Sequence, residues 1–307
     1  MIYLHRKIGF LGWIGIIFLM GLIVNLFLGL ISTFLPVVFA KPEGIIEAPE
    51  VFFSIPLGHY VLNINQTILN TWVIMLVIIV ILILGTRNLS IENPGFFQLV
   101  LEEYYNFINN QFLEGYGKFK GKFMAFFSAM FSMILLLNIS MFLFPFVVMW
   151  KHTKEGLLIK PFFRTATADM NTTVGIALVV FVMFIGAAIY RMGVMGLIKE
   201  LCEPFVFMFP INVIGEFAKP INISMRLFGN MFAGLVIMSL VYGLVMPNVL
   251  PTITGNLIKG SLSFAVGWPN ILQVYLDFFI GILQAFVFTV LSSVYIKQML
   301  IGEEEEE

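Results

Sequence analysis

Charge, cysteine and histidine are all scarce in this 307-residue chain, and each scarcity removes a class of function. Only 11% of residues are Asp, Glu, Lys or Arg, against ~25% in an ordinary soluble domain. The formal net charge is −1 and no basic stretch is interleaved with aromatics, so nucleic acid is not an expected partner. The lone Cys202 excludes an internal disulfide and a cysteine metal cluster. His5, His59 and His152 lie outside the apolar runs, and neither HExxH nor GxSxG occurs, so the constellations of an intramembrane peptidase are missing. The glycines of GNMFAG lack the Lys-Ser/Thr of a phosphate loop, so no nucleotide site is expected. No internal repeat of the kind that marks secondary carriers is present. Catalytic residues, cofactors and metal ligands are therefore not expected.

Apolar residues supply what is abundant. They make up 60% of the chain, and the mean hydropathy is +0.98. Several runs exceed 18 residues, which is enough to cross a bilayer as helix. The expected fold is an all-α polytopic membrane protein with five to six embedded helices and one amphipathic helix at the interface.

Along the chain, the basic start MIYLHRK precedes an apolar run from Ile8 to Ala40. This run reads as a retained extra span in preference to a cleaved signal, although Val38-Phe39-Ala40 fits a cleavage site. Residues 1–57 thus form an extra segment, 58–300 the main membrane domain, and 301–307 an acidic tail. The expected spans are 69–84, 123–150 and 172–190, followed by two longer helices, 211–243 and 270–300. After Pro94, the residues Phe97, Val100, Leu101, Tyr104, Tyr105 and Ile108 recur at helical spacing, as in a helix lying on the membrane surface. Lys118, Lys120 and Lys122 mark the cytoplasmic side, which puts the C-terminus in the cytoplasm; the positive-inside count favours this orientation by a small margin. Residues 246–269 read as an outer loop.

The chain is organised around the stretch 210–243. Between Ile221 and Leu244, Arg226 is the only charged residue. An arginine at a helix centre costs roughly 2.5–3.5 kcal/mol on insertion scales, so such a charge marks a functional site unless it snorkels. Arg226, Gly229, Asn230 and Ala233 fall on one helical face. That face carries a fixed charge, an amide and two small residues that allow close approach of another helix. On the last helix, Asp277, Gly281 and Gln284 also share a face by α-helical spacing. Such polar stripes suit interhelical hydrogen bonds or a wet cavity. By themselves they would also fit an unrelated ion channel or carrier.

The run EFAKPINISMRLFGNMFAG closely resembles the signature of subunit a of F-type ATP synthases, the membrane stator that faces the rotating c-ring. TATADMNTT at 165–173, LQAF at 283–286 and, more loosely, LNTW at 69–72 extend the resemblance, which covers roughly 58–296. It implies that the last two helices are long, strongly tilted and wrapped on the c-ring. It implies two aqueous half-channels separated by Arg226, coupling H⁺ or Na⁺ flow to rotation and ATP synthesis in a separate head. It implies the c-ring and peripheral-stalk subunit b as partners, in a bacterial plasma membrane. Matched to the family's motifs, Asn230 and Gln284 fall on polar channel positions, Glu216 and Lys219 near the inner opening, and Asp169 and Asn171 at the outer end of an earlier span. Asp169 just before an apolar run is also an N-cap signal. One departure stands out. Where many members carry an acid after Ala-Gly, this chain has Leu235, and where many have His or Glu seven residues before the LQAF glutamine, it has Asp277. The acid is expected to have changed helices while staying in the outer half-channel.

Overall fold

The computed structural model describes residues 49–58, 60–87, 89–143, 148–153, 156–240, 272 and 274–301. The expected extra span at 8–40, the loop at 246–269 and the acidic tail lie outside the described residues. Among the described residues, five helices are long and apolar enough to cross a membrane, and the chain is an all-α polytopic membrane protein.

An antiparallel hairpin, β1 (Val51–Leu57) and β2 (Tyr60–Asn65), leads directly into α1 (Gln66–Thr86). Asn65 ends the strand and starts the helix: its Oδ1 accepts from the Ile68 amide at 3.0 Å and from Thr67 Oγ1 at 2.7 Å, satisfying donors that the first helical turn leaves open. α2 (Phe96–Gln111) is the amphipathic helix. Ile108 is buried, while Phe97, Val100 and Tyr105 from the same apolar series stay exposed, as suits a helix with one side toward lipid. α3 (Lys120–Leu143) is followed by a second hairpin, β3 (Val148–Thr153) and β4 (Gly156–Pro161), where sequence suggests only a polar return.

α4 (Met170–Leu201) outruns the expected 172–190. Asp169 caps its start, accepting from the Asn171 amide at 3.0 Å. Gly193, with φ 72 and ψ 171, interrupts it in a backbone region open essentially to glycine. α5 (Phe209–Leu240) runs through Pro220. At 1.5 Å per residue, its 32 residues span ~48 Å, well beyond a ~30 Å hydrocarbon core, so the helix tilts or runs partly outside it. A π-helical turn (Val274–Phe279) opens the last helix, α6 (Ile280–Ile301).

The chain divides into two compact units. Among described residues, the first holds 49–70, 138–165 and 233–280. The buried polar side chains of this unit are Gln66, Thr67, Asn70, Asn138, Ser140 and Thr165. Gln66 Nε2 donates to the Phe162 carbonyl at 2.7 Å, tying α1 to the chain after β4. The second unit holds 71–137, 166–232 and 281–301. An aromatic core joins the end of α2 to α3 and α6: Phe112 lies 5.4 Å from Phe131 and 5.5 Å from Phe286, centroid to centroid. Tyr116, fully buried, donates from its hydroxyl to the Ser293 carbonyl at 2.7 Å. Ser293 Oγ in turn donates to the Phe112 carbonyl. Burial pushes the Tyr116 phenol well above its ordinary pKa of 10.0, the hydrogen bond with Ser293 opposing this in part.

Candidate functional site

α5 is two-sided. Ile223, Ser224, Leu227, Met231, Gly234 and Met238 are buried, whereas Asn222, Arg226, Gly229, Asn230 and Ala233 are exposed. The apolar residues of the buried face drive this orientation, since 3.6 residues per turn places the polar series on the other side. The expected grouping of Arg226, Gly229, Asn230 and Ala233 on one face therefore holds. Asn222 belongs to it too, four residues before Arg226, and sequence reasoning passed over it. The spacing Asn222, Arg226, Asn230 at i, i+4 and i+8 was the available signal. A Cβ at Gly229 would meet nothing within 4 Å, so the backbone beside Arg226 lies open. Arg226 and Asn230 make no hydrogen bond or ion pair with any described residue.

Glu216 and Lys219 differ. Lys219 Nζ donates to both carboxylate oxygens of Glu216, at 2.7 and 2.8 Å. The same ammonium lies 5.0 Å from the Phe184 ring of α4 and 5.8 Å from the Tyr295 ring of α6. The pair is about three-quarters buried, and its charges cancel locally while the two rings hold the ammonium in place.

Asp277 stands in the π turn, packed on the far end of α5. A Cβ at Gly234 would lie 3.6 Å from Leu276 Cβ and 3.8 Å from Asp277 Oδ1. The carboxylate thus sits against α5 one residue before Leu235. A methyl group at 234 would make only ordinary van der Waals contact there, so the approach does not depend on glycine. The expected α-helical face of Asp277, Gly281 and Gln284 needs correction: that count assumes 3.6 residues per turn, and a π turn has a wider repeat. Gln284 is buried, at 6% exposure, in the regular part of α6. Asp169 caps α4 through the backbone amide of Asn171, the structural role the position of Asp169 already suggested.

A family profile described as "ATP synthase A chain" matches residues 68–297. The "ATP synthase subunit a, sodium ion specific" of Propionigenium modestum is 36% identical over 281 residues, covering 86% of this chain and 89% of that protein. The "ATP synthase subunit a" of Moorella thermoacetica is 30% identical over 253 residues, covering 82% of this chain and 96% of that protein. That of Mycobacterium bovis is 31% identical over 250 residues, covering 78% and 89%.

Proposed function

We propose a residue-level mechanism on this footing: the chain belongs to the ATP synthase A chain family, the non-catalytic, ion-translocating membrane subunits of F-type ATP synthases. Arg226 is the charge that each c-ring carboxylate meets as it passes between two half-channels. A guanidinium stays protonated at any working pH, so it favours the ionised carboxylate without giving up a proton of its own. An opposite charge within ~4–6 Å lowers a carboxyl pKa, which promotes ion release beside the arginine and blocks direct leakage. Each elementary charge crossing the full potential releases ~2.3 kcal/mol per 100 mV, the work that drives rotation.

The observation that carries this reading is Arg226, exposed and engaged by no described residue, on a stripe with Asn222 and Asn230 beside the small residues Gly229 and Ala233. A buried arginine locked to an internal carboxylate would have argued for structural glue. Asn230 and Gln284 line the polar path. Glu216 and Lys219 flank its inner mouth, where their mutual pairing fits a tuning role better than a carrier role. Asp277 supplies the acid of the outer half-channel from the last helix, and Asp169 with Asn171 shapes the outer end of α4. The c-ring packs on the exposed α5 face, and peripheral-stalk subunit b holds the chain as stator. The C-terminus is cytoplasmic and the membrane is a bacterial plasma membrane, with 1–57 an addition to the core domain at 58–300 and 301–307 a solvated tail. The same geometry serves H⁺ or Na⁺, because the selecting carboxylate site lies on the c-ring.

ATP-driven ion pumping in inverted vesicles carrying Arg226→Ala is the direct test. The expected result is an assembled complex with no pumping. Pumping near the wild-type rate would overturn the assignment.

A further inference from the structure

The turn that joins α4 to α5 has an unusual surface for a connection between spans. From Met170 to Met192, α4 covers ~34 Å at 1.5 Å per residue, so Gly193 comes at the edge of a ~30 Å hydrocarbon core. Its positive φ then redirects the chain. Beyond it, Val194, Met195, Ile198, Phe205, Val206 and Phe207 are all exposed, Met195, Val206 and Phe207 by three-quarters or more. From Phe205 the exposed apolar residues run on into Phe209 and Ile211 of α5, while the exposed charges Lys199, Glu200 and Glu203 separate them from Val194, Met195 and Ile198. No charged residue occurs from Pro204 to Gly215.

Much of the backbone of this turn is satisfied from within, while Lys199 and Glu203 point their charges outward, as side chains at headgroup level do. Asn212 Nδ2 donates to the carbonyls of Leu201 and Glu203, both at 2.9 Å. The amides of Cys202 and Glu203 bond back to α4, and Met208 N bonds to the Phe205 carbonyl. Pro204 has no amide to satisfy. Arg191 pairs with Glu200 at 3.2 Å across the Gly193 break, which lowers the cost of placing either charge near hydrocarbon. A loop built for water has no need of such internal closure, because water satisfies its polar groups; a segment in lipid does need it.

We propose that residues 194–209 form a wedge inserted among the lipids of the leaflet they border, at the boundary of headgroups and acyl chains. The partner is a phospholipid surface. The stacked rings of Phe205 and Phe207, 5.6 Å apart, supply its leading edge. Interfacial elements of this kind bury their apolar side ~5–10 Å into the leaflet. The wedge would fix the level of the α4–α5 corner, and so resist displacement of α5 when torque is transmitted through its other end.

Photo-crosslinking in native membranes tests this on the assembled complex. Phe207→p-benzoylphenylalanine, and separately Val206→p-benzoylphenylalanine as a second site, are irradiated and the adducts identified by mass. Phospholipid adducts are expected to exceed protein adducts several-fold at both sites. A predominance of adducts to another subunit would replace lipid with a protein partner and overturn the proposal. Absence of adducts at both sites, in complexes that assemble, would mean that the turn faces water and would overturn it equally.

Discussion

Two charged regions two helical turns apart on α5 have opposite relations to their surroundings. Lys219 is held by both oxygens of Glu216 and by two aromatic rings, whereas Arg226 is exposed and engages no described residue. Both are cations in an otherwise apolar helix, where an uncompensated charge is costly. At Lys219 the cost is offset within the chain. At Arg226 no described residue offsets it, and in the proposed mechanism a passing carboxylate does. A cation whose partner is built in can hold a structure together; one whose partner arrives and leaves can drive a cycle.

The widest separation between the two regions is expected on removing each cation. Arg226→Ala abolishes coupled pumping with assembly intact, and Arg226→Lys remains impaired by about tenfold or more (~1.4 kcal/mol), since a point-charge ammonium lacks the planar fork and titrates more readily. Lys219→Met, in contrast, leaves pumping measurable and shows its main effect on heat stability. If Lys219→Met abolished pumping and Arg226→Ala did not, the contrast between the two sites would be reversed.

A second prediction extends the comparison to the far end of α5. Asp277→Asn keeps shape and hydrogen bonding but removes the charge, so ion transfer should slow several-fold across roughly pH 6–9 with assembly unaffected. Because Asp277 Oδ1 approaches the backbone at Gly234, Leu235→Glu places a carboxylate on the adjacent residue and should restore part of the rate. Normal coupling in Asp277→Asn over that range would reduce Asp277 to a packing role.

The inner pair gives a smaller effect with a diagnostic pattern. Glu216→Gln or Lys219→Met alone leaves one partly buried charge unpaired, at ~1–3 kcal/mol. The double variant Glu216→Gln with Lys219→Met removes both and should be more heat-stable than either single variant. A double variant worse than both singles would mean that the charges act separately, as ion carriers rather than as a pair.

What could be read in advance followed from contrast. Arg226 stood out because charge is rare in a long apolar run, and the face it shares with Asn230 followed from helical period alone. Asn222 escaped because its Asn-x-Ser triplet in an apolar run reads as a chance match, which drew no attention to the face it shares with Arg226. The cap at Asp169 was legible because Asp before an apolar run has a local cause. The two hairpins were not: in β1–β2, Phe53 and Ile55 are exposed along with Phe52, so no polar–apolar alternation announces a strand. The π turn and the break at Gly193 each change the geometry of one turn and leave no mark on composition. Without the π turn, the close approach of Asp277 to Gly234 could not be anticipated; only the matched absence at Leu235 hinted that the acid lay across from it.

The least conspicuous feature, Tyr116, yields the smallest and most specific prediction. Its ring packs 5.5 Å from Phe123 while its hydroxyl reaches the Ser293 carbonyl, 177 residues away in sequence, so no local pattern reveals the bond. Tyr116→Phe keeps the ring and loses one hydrogen bond, at ~1 kcal/mol, with coupling unchanged. The sign of its pH dependence separates this bond from simple packing. Burial raises the folded-state pKa of Tyr116 above 10.0, so its contribution is complete below that value and declines as pH rises, because the unfolded chain releases the phenolic proton first. The phenylalanine variant has no such proton to lose. Its heat-stability deficit should therefore be full near neutral pH and shrink as pH rises past about 10. A deficit that stayed constant into that range would mean the hydroxyl is not buried in the folded protein, and that α6 is held by ring packing alone.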